Sequence, residues 1–180
     1  MISSLGNDQL LKNVEFVLIT LSNHKNHFFF LSLPNVCYYI AHTMGYELIE
    51  HTADVGIRVW ADDVKGLFEE AARGLFDIIT DIKTVNAQIE RSVTVRGSGW
   101  EEVMVAWLTE LLYLHEVKGL LFCDFSVAEV DRVIVTGVAR GERFNEKRHA
   151  IKTVVKAVTY HQLRIREQNG HWHSQIIFDI

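Results

Sequence analysis

Two aspartates and the last residue are the groups in this chain whose types and positions suggest shared chemistry. Asp54, in the stretch HTADVGIRVW, stands where an apolar run begins, a place where a carboxylate usually loses free energy. Asp179 and the terminal carboxylate of Ile180 close the chain in IIFDI. If the final strand runs beside the HTAD strand, three anionic oxygen groups converge. Such a donor set suits a hard divalent cation, with Ca²⁺ as the first choice and Mg²⁺ or Mn²⁺ as alternatives.

The same carboxylates also allow an interpretation without a metal. Asp54 could cap a turn, and Asp179 could pair with Arg58 or Arg164. Two carboxylates held close together repel each other unless a cation or an arginine lies between them. Spacing alone favours this second interpretation and leaves the first one open.

Other site chemistries find little support in the residues. The chain has nine histidines but neither an H-E-x-x-H motif nor paired C-x-x-C motifs, which argues against a zinc site. His51, His149 and His161 are each expected to be hydrogen-bonded structural residues. Cys123 has no basic partner nearby in sequence and is expected in the core. A Ser-His-Asp hydrolase would need a G-x-S-x-G elbow, which is missing.

Composition and charge limit the classes of protein to which this chain can belong. The 180 residues carry a net charge of −5 and are 48% hydrophobic, which is typical of one packed globular domain with an appendage. No overall basic field would hold nucleic acid unaided. Two cysteines without a disulfide or metal pattern suit a reducing cytoplasm. No apolar run reaches the roughly 18 residues that a membrane helix needs, so we expect no membrane association.

Residues 1–43 differ from the rest and are predicted to be a gene-model extension. They hold the only proline and two apolar patches, VEFVLITL and FFFLSLPNVCYYIA. No basic n-region opens the chain and no A-x-A site follows the second patch, which argues against a signal peptide. We predict that translation starts at Met44 and that residues 44–180 form the functional domain. Mass spectrometry of the natural N-terminus tests this.

From Met44 the pattern predicts alternating strands and helices. VKGLFEEAARGLFDII shows the broad apolar face of a helix lying on a sheet, with Asp62 or Asp63 as its N-cap. GSGWEEVMVAWLTELLYLHEV predicts a longer helix, with Ser98 and Glu101 spaced as a capping box and Trp107 in the core.

Strands are predicted from short-period alternation. The segments are YELIEH and DVGIRVW, hinged at Thr52–Ala53, then RSVTVRG, LLFCDFSVAEV, RVIVTGVAR, VKAVTYHQLRI and HSQIIFDI. Asn169-Gly170 predicts a tight hairpin between the last two. In VKAVTYHQLRI, alternation would place Lys156 and Tyr160 on one face and His161 on the other. The expected fold is an α+β two-layer sandwich, with two helices packed on one face of a mainly antiparallel sheet.

Four of these motifs together resemble the archease family. They are HTADVGIRVW, WLTELLYLHE, VKAVTYHQLRI and the terminal FDI, in that order from Tyr46 to Ile180. Archeases begin a few residues before their HTAD, which agrees with a start at Met44. The resemblance implies a metal bound by Asp54, Asp179 and Ile180. It assigns no role to Lys156, Tyr160 or His161.

The resemblance also implies a function. Archeases are accessory proteins, not enzymes, that assist the RtcB-type RNA-splicing ligase in tRNA splicing and RNA repair. They promote guanylylation of the ligase so that it turns over repeatedly, and RNA is a partner only through the ligase. Two other classes remain open. One is a metal-dependent phosphate-ester hydrolase that uses the same carboxylates. The other is a general chaperone or nucleic-acid-binding module, which the acidic balance and the lack of a basic aromatic stripe disfavour.

Overall fold

The chain divides into two compact units, Met1–Thr43 and Met44–Ile180. The computed structural model describes residues 44–50 and 54–180, and four short strands before them. Those strands form two antiparallel pairs, β1 (Leu21–Asn23) with β2 (Asn26–Phe28) and β3 (Phe30–Leu33) with β4 (Val36–Tyr39). The division falls where the sequence places the start of the functional domain. A translation start at Met44 stays a prediction.

The second unit contains two helices, a single 3₁₀ turn and eight strands among its described residues. The helices are α1 (Val64–Ile79) and α2 (Trp100–Lys118), and the 3₁₀ turn is Ile82–Thr84. The strands are β5 (Gly45–Glu50), β6 (Asp54–Ala61), β7 (Ile89–Arg96), β8 (Leu120–Val130), β9 (Ile134–Arg143), β10 (Ala157–Val158), β11 (Arg164–Gln168) and β12 (His171–Asp179).

The α+β class is confirmed, and the strands form two antiparallel sheets. The first has the order β10-β12-β6-β5, with β11 also pairing with β12. The second has the order β7-β9-β8. Helix α1 contacts β6 of the first sheet and β8 of the second, so it joins the two sheets. The predicted hinge at Thr52–Ala53 lies outside the described residues.

Helix α1 forms where the pattern predicts it. Asp63 is the N-cap, and its Oδ1 accepts a hydrogen bond from the Gly66 N–H at 2.7 Å, which satisfies one of the free amides of the first turn. The predicted apolar stripe is buried, with Leu67, Ala71 and Leu75 fully inaccessible. This stripe supplies much of the core between the sheets.

The predicted capping box of α2 is wrong by one residue. Gly99 is the N-cap and makes no side-chain cap. Ser98 instead donates from its N–H and its Oγ to the carboxylate of Glu102, at 2.8 and 2.6 Å. Glu101 accepts from the N–H of Ile165 at 3.3 Å and so ties the helix to β11. The physical reason is that Glu101 meets a neighbouring strand while Glu102 faces back to the turn.

Trp107 is confirmed as a core residue. Its side chain is fully buried, and its indole N–H donates to the Phe68 carbonyl of α1 at 3.2 Å. The two helices are therefore linked by both packing and a hydrogen bond. Among the described residues, no helix is both long enough and apolar enough to cross a membrane.

The single strand predicted for VKAVTYHQLRI is wrong. The segment forms two short strands, β10 and β11, joined by a turn in which Gln162 adopts a left-handed φ of 56°. Strand β10 ends at Val158, so the alternation on which the placement of Lys156, Tyr160 and His161 depended does not continue to Tyr160 and His161. The hairpin at Asn169-Gly170 is confirmed, because both residues have positive φ, 55° and 80°.

Candidate functional site

Asp54 and Asp179 face each other across two paired strands. They are direct partners in the antiparallel register of β6 and β12. Side chains of directly opposed residues project from the same face, with Cβ atoms about 5 Å apart. The neighbours Val55 and Phe178 pack towards the core, so both carboxylates lie on the opposite, outer face of the sheet. The pairing of β6 with β12 therefore brings these two aspartates together, as the sequence predicted.

The chain terminus is anchored at this position. Phe178 is fully buried, and β12 is the strand that β6, β10 and β11 all pair with. The Lys156 N–H donates to the Asp179 carbonyl at 2.8 Å. Terminal residues usually fray unless such contacts hold them. Ile180, which follows directly and is 39% exposed, is thus held close to the two aspartates.

Lys156 supplies a positive charge at the terminus. Its ammonium group donates to the main-chain oxygen of Ile180 at 2.7 Å. The contact fixes the direction of that oxygen, and it brings a cation to a group of anionic oxygens. By contrast, Tyr160 is 58% exposed and His161 is exposed, its N–H donating to Thr159 Oγ1 at 3.3 Å.

The arginines considered as partners for Asp179 have other partners. Arg58 forms an ion pair with Glu47 at 2.9 Å. Arg164 donates to the Leu163 carbonyl at 2.7 Å. Within residues 44–50 and 54–180, neither the Asp54 nor the Asp179 carboxylate makes an ion pair or a hydrogen bond. Among the described residues, the cation at this place is the Lys156 ammonium, which bonds to the Ile180 oxygen and pairs with neither carboxylate.

The donor set fits a hard cation if the main chain contributes to it. Among the described residues, no three His, Cys, Asp or Glu side chains are grouped so that they could hold a metal. Two carboxylates therefore need a third donor, and the Ile180 terminus lies next to Asp179. All three groups are oxygen donors. Ca²⁺, Mg²⁺ and Mn²⁺ prefer oxygen ligands, whereas Zn²⁺ prefers nitrogen and sulfur ligands. His51 lies outside the described residues.

A buried carboxylate elsewhere has a structural role. Glu142, 5% exposed, accepts hydrogen bonds from the Asn86 N–H at 2.7 Å, from Arg148 at 2.5 Å and from His149 Nε2 at 3.3 Å. Burial acts to raise the pKa of Glu142, but the hydrogen bonds from Asn86 and Arg148 and the charge of Arg148 outweigh it and hold the pKa below its ordinary value. His149 Nδ1 accepts from the Asn145 N–H, so Nε2 carries the proton. The expectation of a structural His149 agrees with these contacts.

Comparison with known proteins identifies the family. The sequence profile of the Archease protein family matches residues 46–180. The chain is 42% identical to the protein archease of Methanopyrus kandleri, over 76% of this chain and 100% of that protein. It is 40% identical to the protein archease of Pyrococcus furiosus, over 75% and 98%. The chain belongs to the archease family.

A solved archease structure supports the fold. The solution structure of Methanobacterium thermoautotrophicum protein 1598 aligns with a TM-score of 0.66 and 32% identity, over 76% of this chain and 99% of that one. Asp54, Asp179 and Ile180 all lie within the matched region. The resemblance drawn from the sequence motifs is confirmed.

The sequence suggested Arg58 and Arg164 only as partners for Asp179, and it did not place them together with Arg166 on one surface of the sheet. Arg58 lies on β6, and Arg164 and Arg166 lie on β11. The segments are more than 100 residues apart, and β12 brings them to one surface by pairing with both strands. Alternation within each strand was visible, but the pairing that joins them was not.

Proposed function

We propose that this chain is a non-enzymatic accessory protein that activates an RtcB-type RNA-splicing ligase. It promotes guanylylation of the ligase and so allows multiple turnover in tRNA splicing and RNA repair, in the cytoplasm. Membership of the archease family supports the accessory role. The observation that links this function to particular residues is the direct pairing of Asp54 with Asp179 on the outer face of the sheet.

The residues of the site have distinct tasks in this proposal. Asp54 and Asp179 bind a divalent cation, with Ca²⁺ preferred and Mg²⁺ or Mn²⁺ as alternatives, and the terminus of Ile180 completes the donor set. Lys156 holds the terminal oxygen in place. A cation bound here would supply charge neutralisation close to a nucleotide triphosphate. The exposed position of Asp179 leaves the site accessible to a partner protein.

The test of the function is ligase guanylylation. The full chain is added in substoichiometric amounts to purified ligase, GTP and Mn²⁺, and the covalent ligase–guanylate is followed with time. We expect faster guanylylation and more than one ligation per ligase molecule. A rate equal to that of the ligase alone would contradict the proposal.

Variants link the function to the site. Asp54→Ala and Asp179→Ala should fold and yet lose most of the stimulation, since each removes one of two facing carboxylates. An extension beyond Ile180 should also reduce stimulation, because it removes the terminal carboxylate. Glu129→Gln, an exposed carboxylate on another strand, is the matched control and should behave as wild type. Full stimulation by both alanine variants would remove the site from the mechanism.

A phosphate-ester hydrolase that uses the same carboxylates is the second candidate. It would turn over nucleotide or RNA without a partner. Incubation of the chain alone with GTP or with RNA and Mn²⁺ distinguishes the two functions. Hydrolysis that Asp54→Ala abolishes would favour the enzyme.

A further inference from the structure

The outer face of the first sheet carries an open groove of about 460 Å³. The groove begins beyond the paired carboxylates, because Arg58 is four residues along β6 from Asp54, about 13 Å away. It spans β5, β6, β12 and β11. Its lining side chains from the outer face are Glu47, Arg58, Trp60, Arg164, Arg166, Gln168, His173 and Gln175.

Strand register arranges these side chains in two rows across the sheet. One row runs Glu47, Arg58, Gln175, Arg164, and the neighbouring row runs Gly45, Trp60, His173, Arg166. Each row crosses four strands. Since opposed residues share a face, arginines, amides, an imidazole and an indole are interleaved on one surface.

The groove is cationic although the chain is acidic. Three arginines face one carboxylate, Glu47, whereas the whole chain has a net charge of −5. Arg58 shares its charge with Glu47, and its side chain is still 60% exposed. Arg166 is exposed and makes no hydrogen bond or ion pair with the part of the chain that the structure describes. An anionic ligand would therefore gain charge-assisted contacts on this face.

The type of the cations indicates which anion fits. All three are arginines, whose planar guanidinium groups bind phosphate in a bidentate manner and stack on bases. Arg164 and Arg166 are two residues apart on one strand, about 7 Å, comparable to the separation of successive phosphates in an extended strand. His173 lies beside Arg166, and Gln175 lies between Arg58 and Arg164. The Gln175 amide donates to Gln162 Oε1 at 2.9 Å, which leaves its carbonyl oxygen as an acceptor. An acidic peptide would also satisfy the charges, but it has no planar bases on which the guanidinium groups could stack.

We propose that this groove binds single-stranded nucleic acid, with phosphates on Arg58, Arg164 and Arg166. The half-buried indole of Trp60 forms part of the groove wall against which a base packs. This binding goes beyond the activation of a ligase, because the isolated chain has it. Three phosphate contacts predict weak, salt-dependent binding, with log K falling against log salt at a slope of about −2.

The test is fluorescence anisotropy of a labelled ten-nucleotide single-stranded RNA of mixed sequence. The full chain is titrated at low salt in the presence of a chelator, so that no ligase or divalent cation contributes. Arg164→Glu/Arg166→Glu should weaken binding at least tenfold and flatten the salt slope. Arg91→Glu/Arg143→Glu, on the second sheet, changes the net charge equally and should change binding less than threefold. Arg166→Gln, one exposed side chain on an edge strand, should weaken binding in a protein whose thermal unfolding is unchanged.

Three results would overturn the proposal. The first is a lack of RNA binding by the wild-type chain. The second is an equal loss of RNA affinity in the groove variant and the control variant, which would indicate general attraction between RNA and the positive charges of the protein. The third is displacement of the RNA by an equal charge concentration of polyglutamate, which indicates an acidic protein partner. None of these measurements involves the ligase, so failure here is distinct from failure of the proposed activation.

Discussion

At the scale of single residues, the Asp54–Asp179 pair has a cost that a cation would remove. Like charges directly opposed on paired strands destabilise a sheet. Among the described residues, no ion pair or hydrogen bond offsets the repulsion between these two carboxylates. A bound divalent cation would reverse the sign of the interaction. Stability and cation binding are therefore linked at this position.

The link predicts that the stability difference between Asp54→Asn and the wild type depends on whether a divalent cation is present. In a chelating buffer, Asp54→Asn should stabilise the protein by about 0.5–1 kcal/mol, because it removes the repulsion. In millimolar Ca²⁺ the wild type should gain stability while the variant gains none. Thermal unfolding followed by circular dichroism in both buffers measures the effect. A variant less stable than wild type in chelator would show that the carboxylates do not repel.

Glu142 gives a residue-scale prediction about pH. Its pKa is lowered in the folded protein, so it contributes stability above its ordinary value of 4.5. That contribution is lost as pH falls through the folded pKa. Glu142→Gln should be less stable than wild type at pH 7, and the difference should shrink below about pH 4. Urea unfolding at several pH values measures it, and a pH-independent difference would contradict the assignment.

At the scale of elements, predictions from local sequence periodicity were confirmed for α1 and β8, whereas two predictions were wrong because of a turn or a tertiary contact. Helix α1 and strand β8 could be predicted from sequence because burial imposes its period on apolar residues over many positions. VKAVTYHQLRI misled because a left-handed residue, Gln162, interrupts an alternating pattern without a glycine or proline to mark it. The Ser98–Glu101 spacing misled because Glu101 has a tertiary partner, the Ile165 N–H. Such contacts depend on which strand packs beside the helix, and the local sequence does not determine that.

Gly141 on β9 gives a prediction at the element scale. A Cβ at this position would lie 1.8 Å from the Leu121 carbonyl oxygen, next to an irregularity in the β8–β9 pairing. Gly141→Ala should cost about 3 kcal/mol or more, because backbone must move to admit the methyl group. Gly99→Ala is the matched control, since nothing lies within 4 Å of its Cβ position. Similar unfolding midpoints for the two variants would contradict the close packing of β8 on β9.

At the scale of the whole molecule, the outer face of the first sheet concentrates the candidate functional groups. The facing carboxylates lie at one end of β6, and the arginine groove lies further along it. The opposite face is buried against the helices. The sequence indicated the carboxylates through the HTAD and FDI motifs. It did not indicate the groove, because no stretch of the chain is itself both basic and aromatic.

The unit Met44–Ile180 should be sufficient for fold and function. The family profile covers residues 46–180 and the curated relatives are matched over nearly their full length. A protein that starts at Met44 should therefore unfold cooperatively and stimulate the ligase as the full chain does. Thermal unfolding and the guanylylation assay measure this. A shortened protein that does not fold would show that residues 1–43 belong to the functional protein.

The most direct test of the central claim is divalent-cation binding measured by isothermal titration calorimetry. The full chain is titrated with Ca²⁺ and with Mn²⁺, alongside Asp54→Asn, Asp179→Asn and the control Glu129→Gln. The account predicts one site in the wild type and the control, and at least tenfold weaker binding in each aspartate variant. Unchanged affinity in both aspartate variants would contradict a cation held between Asp54 and Asp179.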